Sequence, residues 1–502
     1  MTPNHPEPPI VAQARENAER TAIVAPEGTF TYADLLDASE RVASALLEGR
    51  ADLDEARVAF LAPPGWAYVA VQWGVWRAGG IAVPLAVSHP AAELEYVVGD
   101  ADAEIVVAHP DFAEVLRPIA ERSRRRFLSA DEALSGDAGR LPRVAEERGA
   151  MIVYTSGTTG KPKGVVTTHA GLRAQITALV EAWEWTAEDR TLLVLPLHHV
   201  HGIVNVLSCA LWAGGSCEIA ARFDADETWA AIESGRLTLF MAVPTVYRRL
   251  IAAYDEAPPE RRERMAEGCR GMRLMVSGSA ALPVATLERW REISGHTLLE
   301  RYGMTEIGMA LSNPLHGHRR PGSVGVPLPR VGARLVDEEG VEVEPGTPGE
   351  VEIRGPAVFR EYWRRPDATA EAFRGEWFRT GDVGVVEGGY WRLLGRRSVD
   401  IIKTGGYKVS ALEIEEVLRE HPAIAECAVV GIDDPDWGER ICVAVEGAGD
   451  APPSLDELQA WARERLAPYK LPRDLRRVDA LPRNAMGKVM KPEVAKLFVS
   501  GG

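Results

Sequence analysis

The stretch from Met151 to Val166, MIVYTSGTTGKPKGVV, combines glycine, lysine and hydroxyl residues between two apolar flanks. Glycines lack the Cβ atoms that block close approach, so this loop can direct many backbone N–H groups and hydroxyls at one concave spot. The lysines add positive charge, and the composition therefore favours a cradle for phosphate groups. It is not a Walker A loop, because Lys161 is followed by Pro162 instead of Ser or Thr. A flexible surface loop is the alternative interpretation.

Length and charge narrow the class of protein. The chain has 502 residues, which is too long for one compact core and indicates two or more domains. Its formal net charge of −16 argues against nucleic-acid partners, because phosphate backbones are bound through an excess of Lys and Arg.

The five cysteines are widely spaced and form no Cys-x-x-Cys pair, as is typical of reduced thiols in a cytoplasmic protein. The N-terminus, MTPNHPEPPI, has neither the basic nor the apolar region of a signal peptide. Residues 66–87 are the most apolar segment, but Gln, Arg, Gly and Pro interrupt it. We therefore expect a buried helix followed by a buried strand there, and no membrane span.

The chain alternates helical stripes with short β-rich runs, which predicts an α/β fold. Thr31 and Asp34 match a capping box at the start of one such helix. After about residue 330, apolar and polar residues alternate around Gly and Pro turns, as in hairpins. A second capping pattern, Ser410 with Glu413, opens a helix in the last hundred residues. We predict a large domain over 1–396 and a small α/β domain over 397–502.

The loop YTSGTTGKPKG resembles the signature of the adenylate-forming superfamily, which includes acyl-CoA synthetases, peptide-synthetase adenylation domains and luciferases. Further segments of that superfamily follow in order: LPLHHVHG (195–202), VSGSAALP (276–283), ERYGMTE (300–306), WFRTGDVG (377–384), GRRSVDIIKTGGYKV (395–409) and LPRNAMGKVMK (481–491). Together they span nearly the whole chain. The resemblance implies a large N-terminal α/β domain of several subdomains and a small, mobile C-terminal α/β domain.

The resemblance also implies a site for ATP and Mg²⁺. Tyr302 would stack on the adenine, and Asp382 would accept hydrogen bonds from the ribose hydroxyls. Thr305 would contact the α-phosphate, and Glu306 would hold Mg²⁺ through its hard oxygen ligands. The full implied set of nucleotide contacts is Thr155, Ser156, Thr158, Thr159, Lys163, Ser279, Ala280, Ala281, Glu300, Arg301, Tyr302, Gly303, Asp382 and Arg397.

The implied reaction joins a carboxylate to the α-phosphorus of ATP, so the protein must neutralise charge and align two anions. Lys488 would bridge the carboxylate and the α-phosphate, and His199 belongs with the catalytic set. Rotation of the small domain would then bring Gly405 and Gly406 to the site, where the absence of side chains lets coenzyme A pass. At the pivot this chain has Val399, next to Asp400, where the superfamily often has Asp or Lys.

The acyl pocket resembles that of malonyl-CoA and methylmalonyl-CoA synthetases through HVHG, YRRL and GSAALP. This resemblance implies that His201, Arg249 and Ser279 hold a second carboxylate, with Met304 also lining the pocket. An arginine suits that role because its planar fork grips a carboxylate bidentately. Arg248 is expected on a solvated helix face instead.

The expected protein is an ATP-dependent acid–thiol ligase for a short diacid, using coenzyme A as co-substrate and acting as a monomer or homodimer. His198 stands where many relatives have Phe, and it leaves malonate versus methylmalonate open. One alternative is a CoA ligase for a fatty or aromatic monocarboxylic acid. Another is a non-catalytic nucleotide-binding relative, which would be expected to lose Lys488 or Glu306. A peptide-synthetase module is disfavoured, since no carrier domain is expected after Lys488.

Overall fold

A computed structural model describes residues 7–155, 161–405, 407–449, 453–483 and 488–499. Its strands are β1 (Thr21–Ala25), β2 (Gly28–Thr31), β3 (Arg57–Leu61), β4 (Ile81–Pro84), β5 (Ile105–Ala108), β6 (Arg126–Ser129), β7 (Gly149–Thr155), β8 (Lys163–Thr168), β9 (Arg190–Leu193), β10 (Ser216–Ile219), β11 (Leu239–Ala242), β12 (Leu274–Ser277), β13 (Leu299–Met304), β14 (Gly308–Ser312), β15 (Val326–Pro327), β16 (Gly332–Val336), β17 (Gly349–Arg354), β18 (Glu361–Tyr362), β19 (Phe373–Arg374), β20 (Trp377–Glu387), β21 (Tyr390–Arg396), β22 (Ile401–Thr404), β23 (Tyr407–Ser410), β24 (Ile424–Asp434), β25 (Gly438–Gly447) and β26 (Asp474–Arg477).

The helices are α1 (Pro9–Arg15), α2 (Tyr32–Leu47), α3 (Trp66–Arg77), α4 (Ala91–Asp100), α5 (Ala113–Arg122), α6 (Ala130–Ser135), α7 (His169–Ala182), α8 (Cys209–Trp212), α9 (Ala225–Glu233), α10 (Pro244–Glu256), α11 (Pro259–Arg270), α12 (Val284–Ser294), α13 (Pro366–Glu371), α14 (Ala411–Arg419), α15 (Leu455–Arg463) and α16 (Lys491–Val499). Two short 3₁₀ segments, Pro110–Phe112 and Pro468–Lys470, and a π-helix, His201–Ser208, complete the described elements.

Within the described ranges the strands form four sheets. Two of them have parallel centres, in the orders β18-β8-β7-β4-β3-β5-β6 and β15-β14-β13-β12-β11-β9-β10-β1-β2. A third, antiparallel sheet has the order β16-β17-β20-β19, with β21 paired to β20. The fourth lies in the small domain, in the order β23-β22-β25-β24 with β26 on β25. The predicted α/β class is confirmed.

Local sequence signals explain much of the large domain. Thr31 and Asp34 form the predicted capping box at α2, with the Thr31 N–H donating to Asp34 Oδ2 at 2.7 Å. The apolar segment after residue 66 forms α3, which is almost wholly buried, and then the buried strand β4, as predicted. Parallel strands covered on both faces need such continuous apolar runs. None of the helices that the structure describes has the length and apolarity of a membrane span.

The topology gathers loops at one edge of the parallel strands. Strands β9, β11, β12 and β13 run parallel to one another, so the segments after their carboxyl ends lie side by side. Ligands of open α/β sheets bind at that edge. Here it carries the segment leading into the π-helix, the start of α10, the loop 278–283 and the turn after Met304.

The small domain has its own apolar core, which includes Ile402, Ile414, Val429, Val443 and Leu458. The chain enters it between β21, the last strand of the third sheet, and β22, the first strand of the fourth. The predicted boundary after residue 396 falls in this connection.

All five cysteines are unpaired and buried: Cys209, Cys217, Cys269, Cys427 and Cys442. Burial raises the pKa of each of these thiols. They are thus structural thiols that stay protonated.

Candidate active site

Asp382 is fixed by two donors at the edge of the third sheet. The Tyr302 hydroxyl donates to Asp382 Oδ2 at 2.5 Å, and Arg396 Nε lies 3.0 Å from Asp382 Oδ1. Tyr302 is buried at the end of β13, so the contact joins the second sheet to the third. The two residues that the sequence assigned to adenine and ribose are therefore in direct contact.

Arg396 is a site residue that the sequence did not identify. The register of the β20–β21 hairpin pairs Asp382 with Arg396. The neighbouring Arg397 instead lies 3.4 Å from Glu350 and 3.3 Å from Glu338. A nucleotide contact by Arg397 stays a prediction.

Glu306 is buried in the turn after β13. It accepts a hydrogen bond from the Tyr362 hydroxyl at 2.9 Å, and Lys163 Nζ lies 5.0 Å from the centre of the Tyr362 ring. Tyr362 thus links the predicted phosphate-loop lysine to the predicted metal ligand, a role that the sequence did not reveal. Burial raises the pKa of Glu306, so a cation beside it would favour its ionised form. Thr305 precedes it and is half-buried.

The phosphate loop is described only at its two ends. Thr155 ends β7 and pairs with Lys163, which begins β8. Ser156, Thr158 and Thr159 lie outside the described residues, as does Gly406.

The neighbouring Gly405 has φ +56°, and a Cβ there would lie 3.2 Å from the Trp437 ring. A side chain at Gly405 would therefore be strained.

His201, Ser279 and Arg301 meet at the edge of β12 and β13. Ser279 Oγ lies 3.1 Å from His201 Nδ1, and both terminal nitrogens of Arg301 lie 3.4 Å from the same oxygen. His201 and Arg301 are buried, whereas Ser279 is exposed. Ser279 has φ +69°, a left-handed conformation that is costly for serine and typical of functional sites. A Cβ at Gly278 would lie 2.6 Å from the Arg301 guanidinium, so a side chain there would displace that group.

This cluster contains a cation but no described anion. Arg301 forms no ion pair with any carboxylate in the described ranges, and burial lowers its pKa to about 9, so it stays charged at neutral pH. Burial, together with Arg301, lowers the pKa of His201 well below its usual value, and the ring is therefore neutral. When the Ser279 hydroxyl donates to Nδ1, the ring proton lies on Nε2. That buried atom has no hydrogen-bond partner in the described structure.

His198 and His199 precede the π-helix with their ring centres 4.1 Å apart, and His89 lies 5.8 Å from His198. Burial lowers the pKa of His198 to about 3 and that of His199 to about 4, so both rings are neutral. The described residues contain no group of three or more His, Cys, Asp or Glu side chains that could hold a metal ion. A catalytic role for His199 stays a prediction.

The two arginines of α10 point elsewhere. Arg249 is exposed, with its guanidinium 4.6 Å from the centre of the Phe223 ring, and no contact among the described residues joins it to His201 or Ser279. Arg248 is half-exposed, as expected for a helix face, but its Nη1 lies 2.5 Å from Glu426 of the small domain. The sequence assigned Arg301 to the nucleotide, and the structure places it beside His201 and Ser279, which were two of the predicted acyl residues.

Four more predicted residues lie in the loop after β12 and at the end of β13. Ala280 and Ala281 are exposed in the loop after β12, and Met304 is half-buried. A Cβ at Gly303 would lie 2.1 Å from the Gly308 carbonyl oxygen, so no side chain fits.

Glu300 is buried and accepts a hydrogen bond from the Gly322 N–H at 3.1 Å. Burial raises its pKa to about 8. Lys488 is exposed, and it precedes Val489, which forms a β-bridge with Arg483.

Comparison with known proteins identifies the family. The model of the AMP-binding enzyme family matches residues 10–363, and that of the AMP-binding enzyme C-terminal domain matches residues 413–488. The mitochondrial malonate–CoA ligase ACSF3 of Xenopus laevis is 46% identical over 98% of this chain and 92% of its own.

Solved structures of MatB from Rhodopseudomonas palustris are 34% identical to this chain and cover 98% of it and 99% of their own chains. The TM-score is 0.90 for ATP-bound MatB and 0.81 for apo MatB. The large and small α/β domains implied by the resemblance are confirmed by this match. The chain belongs to the superfamily of AMP-binding, adenylate-forming enzymes.

Proposed function

We propose that this chain is an ATP-dependent acid–thiol ligase that converts malonate, through malonyl-AMP, to malonyl-CoA. The whole-chain similarity to a malonate–CoA ligase supports the reaction class. The observation that carries the choice of acid is Arg301, a buried arginine without a described carboxylate partner.

A buried, unpaired charge is costly, and a substrate that supplies the missing anion removes that cost. A short diacid brings a second carboxylate, which Arg301 can grip bidentately while His201 Nε2 donates to it. A monocarboxylic acid offers neither group a partner. We therefore assign the second carboxylate to Arg301, His201 and Ser279. Arg249 is the competing assignment, and the variants Arg301→Met and Arg249→Met distinguish the two.

The nucleotide occupies the other side of the cleft in this proposal. Asp382, held by Tyr302 and Arg396, accepts from the ribose hydroxyls, and Lys163 faces the phosphates. The buried Glu306 carboxylate suits Mg²⁺, which binds through one or two carboxylates together with phosphate oxygens and water. When bound, the ion neutralises charge on the leaving pyrophosphate.

The chemistry takes two displacements. A carboxylate oxygen of malonate attacks the α-phosphorus of ATP, the bond to the β-phosphate oxygen breaks, and pyrophosphate leaves. The charge of Lys488 stabilises the crowded anions in this step. The thiolate of coenzyme A then attacks the malonyl carbonyl, and AMP leaves with the oxygen that joined them.

A substrate panel tests the proposal. Pyrophosphate release is measured with malonate, methylmalonate, succinate, acetate, octanoate and benzoate at saturating Mg-ATP and coenzyme A. We expect malonate, or its methyl derivative, to give a kcat/KM at least 100-fold above that of any monocarboxylic acid. Faster turnover of octanoate or benzoate would establish the monocarboxylate alternative. Absence of pyrophosphate with every acid would refute the ligase itself.

A further inference from the structure

A chain of ion pairs runs from the large domain, through the small domain, to the hinge. Its successive contacts are Arg248 Nη1 to Glu426 Oε2 at 2.5 Å, Glu426 Oε1 to Arg419 Nε at 2.6 Å, Arg419 Nη2 to Glu415 Oε2 at 3.2 Å, Glu415 Oε1 to Lys491 Nζ at 2.8 Å and Lys491 Nζ to Asp400 Oδ1 at 2.5 Å. Arg248 is the member that belongs to the large domain.

The carboxylates in this chain are buried, whereas Arg248 is not. The side chains of Glu426 and Glu415 are 8% and 3% exposed, and that of Arg248 is 44% exposed. Burial alone would raise the pKa of Glu426, but Arg419 and Arg248 hold it below its usual value. Glu426 is therefore ionised, and it keeps its ion pair with Arg419 when its pair with Arg248 is lost.

The same chain anchors both ends of the segment that carries Lys488. Arg483, on one side, lies 3.6 Å from Glu426 Oε2 and forms a β-bridge with Val489. Lys491, on the other side, binds the hinge residue Asp400. A change in the position of Glu426 relative to the large domain therefore moves the Lys488 segment as well.

Two other contacts between the domains either involve only one charged group or lie closer to the hinge. The Val284 N–H donates to Glu416 at 3.4 Å, a long bond that involves one charged group. Lys408 Nζ lies 2.8 Å from Glu338, but Lys408 belongs to β23, which pairs with the strand that leaves the hinge. The Arg248–Glu426 pair is the contact that joins α10, the helix that follows β11, to the ion-pair chain.

We propose that Arg248 is a positioning residue that holds the small domain in the orientation for adenylate formation and so brings Lys488 to the acid and ATP. The higher TM-score against ATP-bound MatB than against apo MatB supports assigning the described orientation to the first half-reaction. This role rests on the proposed function, because it requires two half-reactions with different domain orientations. When the small domain rotates for thioester formation, Arg248 and Glu426 separate.

A series of substitutions at Arg248 tests this role, because the residue is half-exposed and we therefore expect each domain to keep its fold without it. Arg248→Lys keeps the charge, Arg248→Met removes it and Arg248→Glu opposes Glu426. Each half-reaction is assayed alone: malonate-dependent exchange of pyrophosphate into ATP, and conversion of synthetic malonyl-AMP with coenzyme A to malonyl-CoA.

We expect the exchange rate to fall less than about twofold for Arg248→Lys, about fivefold for Arg248→Met and more than about 20-fold for Arg248→Glu. These values follow the scale of a half-exposed ion pair and of its replacement by a repulsion. The thioester step should stay within about twofold of wild type in all three variants, since the pair is open in that step.

Arg289→Met is the matched control. Arg289 lies 2.5 Å from Asp255 and is 42% exposed, but both partners belong to the large domain. We expect both half-reactions to be unchanged in this variant.

Equal losses in the two half-reactions of Arg248→Glu, or no loss in either, would overturn the positioning role. Wild-type protein without pyrophosphate exchange would instead overturn the proposed function.

Discussion

Replacing Arg301 with methionine should make the free protein more stable and the enzyme far worse with malonate. Methionine keeps an unbranched chain that fills much of the same space, but it carries no charge. In the free protein the buried guanidinium has the Ser279 hydroxyl as its hydrogen-bond partner, at 3.4 Å. The substitution therefore removes a charge that the free protein solvates poorly and that the diacid complex needs.

The two effects have opposite signs. Lowering the pKa of Arg301 from 12.5 to about 9 corresponds to roughly 5 kcal/mol of lost solvation. Hydrogen bonding and relaxation recover part of this, and replacing buried charges by apolar groups stabilises proteins by about 1–4 kcal/mol. With malonate bound, removing one partner of the buried pair costs about 3–5 kcal/mol. We therefore expect kcat/KM for malonate to fall roughly 10²- to 5 × 10³-fold.

The assay is pyrophosphate release at saturating Mg-ATP, with thermal unfolding measured on the same samples. KM for ATP should change less than about twofold. The ratio of kcat/KM for propionate to kcat/KM for malonate should rise, because propionate lacks the second carboxylate. Arg249→Met is the comparison, and it should retain most of the malonate activity. If Arg301→Met keeps malonate kcat/KM within threefold of wild type, or if Arg249→Met loses more, the assignment of the second carboxylate to Arg301 is refuted.

Three further outcomes are expected. Lys488→Ala should lower malonate-dependent pyrophosphate exchange at least about 100-fold yet spare thioester formation from synthetic malonyl-AMP; parallel losses would contradict its role. Arg301 carries its charge below its pKa of about 9. The kcat/KM for malonate should therefore be constant at pH 7–8 and fall as the pH rises through about 9, whereas KM for ATP, the control, should not follow this profile. A malonate profile that is flat to pH 10 would contradict the assignment. Tyr302→Phe removes a hydrogen bond to the Asp382 carboxylate, so ATP affinity measured by calorimetry should fall about tenfold or more. The KM for malonate should stay within twofold of wild type, and unchanged ATP affinity would contradict the assignment of Asp382 to the ribose.

Features set by neighbouring residues could be predicted from the sequence. The capping box of Thr31 and Asp34 and the buried segment from Trp66 onward depend on contacts within a few positions, and both have the expected structure. The order of the seven segments likewise identified the superfamily. These signals lie within a few residues or follow the order of the chain, so they can be recognised in the sequence without knowledge of the packing.

The choice between adjacent arginines could not be predicted, because it depends on a β-bulge. The β20–β21 register shifts between Val383 and Gly384, which moves the partner of Asp382 to Arg396. Counting back from the turn without that extra residue would place Gly395 opposite Asp382. The sequence motif alone therefore cannot show whether Arg396 or Arg397 contacts the Asp382 carboxylate.

The proposed acyl site was only partly predictable for a related reason. Arg249 and Arg301 are the same residue type, and arginine is usually found at the surface. Arg301 is buried because β13 lies between β12 and β14 inside a sheet, a placement set by residues far away in the chain. His201 and Ser279 were predicted, but the cation beside them depended on long-range strand order.

The burial of every cysteine has a consequence for an enzyme that handles a free thiol. An exposed protein thiolate attacks the disulfide of coenzyme A, which releases one molecule of coenzyme A and leaves the enzyme capped as a mixed disulfide. Here all five sulfurs are out of contact with solvent, and burial keeps them protonated. The folded protein should therefore tolerate millimolar coenzyme A disulfide and resist alkylating reagents, and both sensitivities should appear only on unfolding.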